Sequence, residues 1–278
     1  MANPATNPLF KHFRQPAIYL RLPSGGEYWP DEAIDLPATG EIPVYPMTVK
    51  DEILLKTPDA LMNGDGMINV IQSCLPNIKD ANYIPACDLD PILISLRLAS
   101  YGNEMDFSST CPHCNERNDN TLDLNQILDN HKMPVYESVA MGKITVKFRP
   151  QTFKTLNNAN LSAYEQQRLV SVIGSSDLSE DQKTVEFNKI VPKITEMNVT
   201  NIVGSIEYVE TDDGTRVTEE KFIREFINNC DRKVYDKIKK SIEAHAEKNK
   251  IKPVEIACAE CEKHYKSTLN FENSNFFG

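Results

Sequence analysis

The chain has 278 residues, a net charge of −10, and 40% hydrophobic and 25% charged residues, proportions that exclude a chain disordered as a whole. At this length it buries roughly three-quarters of its unfolded surface. The acidic balance speaks against a protein that lives on phosphate backbones. No apolar run reaches the ~18 residues of a membrane span, and the start lacks the basic and apolar regions of a signal peptide, so no membrane partner is expected and the seven cysteines are expected to be reduced in a cytoplasm.

Residues 1–47 read as an extended amino-terminal arm. Arg21-Leu22-Pro23-Ser24-Gly25-Gly26-Glu27-Tyr28-Trp29-Pro30 joins a turn to two aromatics, one of them the only tryptophan, and Pro30, Pro37, Pro43 and Pro46 keep the rest extended. Tyr28 and Trp29 need a surface, either the chain's own body or a neighbour's, and are candidate partner-binding residues because Tyr and Trp anchor interfaces. Residues 48–130 read as a helical lobe. Thr48 with Asp51 is a capping box, and Met67, Ile68, Val70, Ile71 and Cys74 share the spacing of a core-facing helix. Asn63-Gly64-Asp65-Gly66 is no calcium loop, since Leu61 and Gln72 occupy ligand positions. Asp90-Pro91 predicts the start of a central helix and Gly102 its end. Arg97 inside that apolar helix requires either a carboxylate partner or a buried stem with its head in water.

Cys111-Pro112-His113-Cys114 follows. It has a counterpart near the end of the chain, Cys258-Ala259-Glu260-Cys261, and each knuckle precedes a strand-like run in which Leu122 and Leu269 share one offset from the first cysteine. Four thiolates make a closed structural zinc site, so a split zinc ribbon with Cys111, Cys114, Cys258 and Cys261 as ligands is expected. The 143 residues between Cys114 and Cys258 keep three alternatives open: half-sites completed by neighbouring subunits, a redox pair, or four reduced cysteines with no metal. His113 reads as a solvent-facing spacer, and His264 is a possible substitute ligand. Between the knuckles, residues 131–250 read as an α+β insertion lobe. Ile144, Val146 and Phe148 alternate in a strand that turns back at Met141-Gly142. Ser179 with Gln182 opens a helix that Pro192 must kink or split. Ile202–Val209 pairs with the strand after Asp212-Asp213-Gly214, and Thr218 and Asp231 cap two further helices. Lys237, Lys239, Lys240, Lys248, Lys250 and Lys252 are interrupted by Glu243 and Glu247 and read as a solvated face. Residues 251–278 hold the second knuckle and a tail whose Phe276 and Phe277 are candidate partner contacts.

The fold class is therefore α+β, a mainly helical two-lobed body with a split four-cysteine zinc ribbon and extended terminal arms. No phosphate-cradling glycine loop, G-x-S-x-G elbow or H-E-x-x-H occurs, and four sulfurs leave a zinc ion no open position, which points away from an enzyme. The order of Arg21-Leu-Pro-Ser-Gly-Gly-Glu-Tyr28, Asp90-Pro-Ile-Leu-Ile-Ser-Leu-Arg97-Leu-Ala-Ser-Tyr101-Gly102, the two knuckles and the terminal Phe276-Phe277 resembles the baseplate hub proteins of T-even-like contractile-tailed phages. The resemblance covers about the first 130 and the last 25 residues and leaves the middle without a family motif. It implies a non-catalytic component of the virion tail baseplate, assembled in the host cytoplasm and bound to other tail subunits, with Arg97 and Tyr101 in the common helix among the partner-binding residues. An assembly chaperone that leaves the mature particle and a zinc-ribbon nucleic-acid binder are the rival readings.

Overall fold

The computed structural model describes residues 7–57, 64–174 and 179–269. Leu20, Leu22, Ile42 and Val44 recur with the period of two that lets one face of a strand pack inward. Strands β1 (Ile18–Arg21) and β2 (Glu41–Val44) accordingly pair antiparallel, with Ile18 opposite Val44. The segment expected as an arm is thus, from residue 18 onward, one wall of a core. That core is filled by helix α1 (Val49–Leu55), helix α2 (Asp65–Cys74) and helix α3 (Ala86–Tyr101). The Thr48–Asp51 capping box is complete, and α2 buries Met67, Val70, Ile71 and Cys74 as its spacing requires.

Helix α3 starts four residues before the Asp90-Pro91 signal. Pro85 is its N-cap, the amide of Ala86 donates to the carbonyl of Gln151 at 2.8 Å, and Pro91 lies inside the helix. The first turn is anchored from outside the helix, so the proline need not mark its beginning. Gly102, at φ 90°, ends it as expected.

Strands β3 (Glu104–Thr110) and β4 (Arg117–Asp123) form a hairpin, followed by the short helix α4 (Leu124–Asp129). A second core is built on a four-stranded antiparallel sheet: β5 (Ser138–Met141), β6 (Ile144–Phe148), β7 (Ile206–Thr211) and β8 (Arg216–Val217), in that order. Between β6 and β7 the chain makes two long helices, α5 (Phe153–Gly174) and α6 (Glu180–Gly204). The Ser179–Gln182 box opens α6 as predicted, but the helix runs through Pro192 unsplit. It also takes in Ile202 and Val203, which were expected in a strand. Val199, Ile202 and Val203 stand at i, i+3 and i+4 and face the second core together, so helical spacing wins there.

Helix α7 (Glu220–Asn229) has Glu219 rather than Thr218 as its N-cap, with no side-chain cap bond, whereas Asp231 caps helix α8 (Arg232–Asn249) through the amides of Lys233 and Val234. The last described elements are β9 (Val254–Ala257) and β10 (His264–Ser267), a second two-stranded hairpin. Among the described residues, no helix is long and apolar enough to cross a membrane.

Candidate metal centre

The two knuckles are the tips of the β3–β4 and β9–β10 hairpins. In each, the amide of the first cysteine donates the closing bond of the hairpin in the same way: Cys111 N–H to Glu116 O at 2.9 Å and Cys258 N–H to Lys263 O at 3.0 Å. One residue past the second cysteine the backbone turns left-handed, at Asn115 (φ 60°) and Glu262 (φ 57°), and their amides donate back to the carbonyls of Cys111 and Cys258. The repeat noticed in the sequence is therefore a repeat of backbone geometry. The strands that lead into each tip, β3 and β9, were not anticipated, although Met105 and Phe107, and Val254 and Ile256, alternate in them with the period of a half-buried strand.

All four sulfurs, of Cys111, Cys114, Cys258 and Cys261, lie within 4.8 Å of one another. Cys111 and Cys261 are 3.7 Å apart and Cys114 and Cys258 3.6 Å apart. A tetrahedral centre with metal–sulfur bonds of about 2.3 Å separates its sulfurs by about 3.8 Å, so these two pairs stand at that spacing and the cluster is of a size to hold a metal ion. Cys111 and Cys258 are buried, Cys261 is half-buried and Cys114 is exposed. Ile256, Tyr265, Phe107 and Val254 pack around them. The Cys258 thiol is pulled down to about 6 by the backbone N–H of Cys261, with further donation from Glu260 N–H and the Asn118 amide. His113 is an exposed spacer whose backbone N–H donates to Cys111 Sγ at 3.4 Å, and His264 is exposed, 3.7 Å from a Glu255 carboxylate oxygen and outside the sulfur cluster.

The other candidate residues are scattered. Trp29 is 7% exposed, lies in the first core and donates its indole N–H to Asp88 Oδ2 at 2.7 Å. It takes the own-body alternative, and the buried carboxylate satisfies its one polar atom. Tyr28 is half-buried against the second core, edge-on to Tyr136 with ring centroids 5.5 Å apart. The Ser24–Trp29 turn thus touches both cores. Arg97 is half-buried, its guanidinium 5.4 Å from the centre of the Tyr101 ring, and Tyr101, 41% exposed, reaches Glu52 through its hydroxyl at 3.3 Å. Phe276 and Phe277 lie outside the described residues.

Three residues with decisive contacts were not singled out from the sequence. Asp88, fully buried, accepts from Ser24 N–H, the Ser24 hydroxyl and Trp29; its partners lie 64 and 59 residues away in sequence, so no local signal marks it beside Asp90-Pro91. Arg14 is fixed by Pro46 O, Ser73 O, Ser73 Oγ and Asp51, in a stretch without periodicity. Asn118 bridges the two knuckles, and nothing in its Asn- and Asp-rich strand marks it out from its neighbours in sequence.

A closed cluster of four thiolates suits tying backbone segments together rather than activating a substrate, and the class it defines is an α+β protein with a four-cysteine metal-binding cluster. The family model described as T4 bacteriophage base plate protein matches residues 20–278. The chain belongs to that family: it is a structural protein of the phage tail baseplate and not an enzyme. The match runs through residues 131–250, so the middle is part of the family's extent and not a departure from it; its amphipathic helices carry no motif by which to recognise them. No curated protein and no solved structure matches.

Proposed function

We propose that this protein is a subunit at or next to the baseplate hub, that it stays in the mature virion, and that a zinc ion held by Cys111, Cys114, Cys258 and Cys261 clamps two lobes of the chain. The observation that carries the reading is the meeting of two half-sites 143 residues apart in a chain of the baseplate family. The first core runs into β3 and the first knuckle; the second core, through α8, runs into the second knuckle. One ion therefore joins the exits of both lobes, and their outer surfaces are offered to neighbours at a set angle. Zinc is favoured over other metals by the all-sulfur donor set and the tetrahedral spacing.

Contact with neighbouring tail subunits is assigned to exposed apolar side chains. Leu9, Phe10 and Phe13, all exposed, precede the Arg14 anchor and supply the reach of an amino-terminal arm. Val49 and Ile53, one turn apart on α1 and 73% and 63% exposed, adjoin Glu52 and so the Tyr101 and Arg97 pair. Phe276 and Phe277 remain the carboxy-terminal contact. Assembly takes place in the host cytoplasm.

Peptide counting in purified mature particles and in partly assembled tails tests the placement. A fixed ratio to a known tail protein in mature particles is expected, and presence in the intermediates alone would replace this reading with that of an assembly chaperone. Zinc content measured on the folded chain tests the clamp, with one ion per chain expected. Replacing Cys111 and Cys258 together is expected to abolish assembly while most helix remains; normal assembly by that variant would remove the clamp.

A further inference from the structure

We infer that Asn118 is the positioning residue of the four-thiolate centre, holding the second knuckle against the first within one chain and tuning the sulfur of Cys258. The inference rests on the zinc reading of the centre. Its starting point is the repeat. Seven residues past the first cysteine of each knuckle stand Asn118 and Tyr265, and each reaches across to the opposite hairpin. The Tyr265 hydroxyl lies 2.7 Å from Ser109 Oγ on β3. Asn118, 5% exposed, accepts from the amide of Ala259 at 2.8 Å, and its NH₂ lies 3.1 Å from Glu116 O and 3.5 Å from Cys258 Sγ.

The orientation of that amide follows from its partners. Ala259 N–H is a donor and demands the oxygen, while Glu116 O is an acceptor and demands the nitrogen; the sulfur then faces an N–H. An aspartate in this place would keep the bond to Ala259 but lose the donor to the sulfur and to Glu116 O. An alanine would lose all three. Donors to a ligating thiolate withdraw electron density from it and fix its direction, and loss of such outer partners weakens metal affinity about 10–100-fold. Among the hydrogen bonds of the described residues, Asn118 is the side chain that ties one knuckle to both the backbone and a ligand of the other. It therefore biases the site toward closure by the chain's own second knuckle, against completion by a neighbour's.

The test uses the full chain, reduced and stripped of metal, then titrated with Co²⁺ alone and with Zn²⁺ against a chromophoric chelator. Asn118→Asp, which keeps the Ala259 bond and so the fold, is expected to bind Zn²⁺ about 10–100-fold more weakly than the wild type. Its thiolate-to-cobalt charge-transfer band is expected to move to lower energy, because the sulfur has lost a donor. Asn118→Ala should show the same band shift and at least as large a loss, with part of the metal-bound material dimeric by sedimentation. Tyr265→Phe should leave the band in place. Wild-type affinity and an unmoved band in both Asn118 variants would overturn the inference, as would a fall in thermal stability without a band shift, the mark of a merely structural residue. A wild-type chain that takes up neither ion overturns the zinc reading and this inference with it, whereas metal uptake with unmoved variants overturns this inference alone.

Discussion

Asp88 shows how much of a core can hang on one polar side chain. Burial pushes its carboxyl above the ordinary range, and the donors Ser24 and Trp29 pull the other way. Removing it leaves three donors facing an apolar interior, each costing about 1–3 kcal/mol. Asp88→Ala is therefore expected to lose about 3 kcal/mol or more in urea unfolding, and Asp88→Asn, which keeps one acceptor oxygen, less; an unchanged midpoint in the alanine variant would mean that Ser24 and Trp29 find other partners. His245 makes the opposite kind of case. It is buried between Tyr136 and Phe148 and accepts from Glu137 N–H at 3.0 Å. Burial is the largest cause holding its pKa below the ordinary value, near 6.5 for an unperturbed imidazole. Below about pH 6.5 the unfolded chain takes up a proton that the folded chain refuses, so stability is full above that pH and falls as the solution is acidified. Asp88 has the reverse sign. The comparison that isolates His245 is wild type against His245→Gln: the stability gap should narrow from pH 7 to pH 5, and parallel curves would rule the effect out.

At the scale of the element, the turns at Asn115 and Glu262 are the informative pair. Asparagine tolerates the left-handed region, and glutamate does so at a cost that glycine avoids. Glu262→Gly is expected to stabilise the second hairpin by up to about 1 kcal/mol, whereas Glu262→Val should destabilise it, both read as the thermal midpoint of the metal-bound chain. Elements announced by local chemistry were legible in the sequence. The capping boxes at Thr48 and Ser179, the Asp231 cap, the Gly102 stop and the β5–β6 turn all depend on residues within three or four positions of one another. So did the ligand set, because thiolates at CxxC spacing state their chemistry wherever they fall. What stayed hidden was decided at a distance. The start of α3 is set by Gln151, the inward face of β1 and β2 by helices far along the chain, and the choice of helix for Ile202 and Val203 by the second core. Asn118 looked like any exposed asparagine until the second knuckle lay against it.

For the whole molecule, the knuckles close a long loop. Treated like a disulfide, a link across 143 residues stabilises by at most about 5 kcal/mol, and contacts that already join the cores, such as Ala86 to Gln151 and Tyr28 to Tyr136, reduce that. Stripping the metal with a chelator should therefore leave the helical circular dichroism nearly intact while lowering the melting temperature by up to about 15 °C. Collapse of helix content on chelation would show instead that the cores cannot stand without the clamp.

The seat of Trp29 gives this chain a built-in optical reporter. It is the only tryptophan, it is enclosed in the first core and its indole is bonded to a helix α3 carboxylate. Selective excitation of indole therefore sees a single address, in the first core and not among the residues packed around the sulfurs. A blue-shifted emission that survives metal removal and reddens only in denaturant would allow opening of the clamp and melting of the core to be followed as separate events in one cuvette.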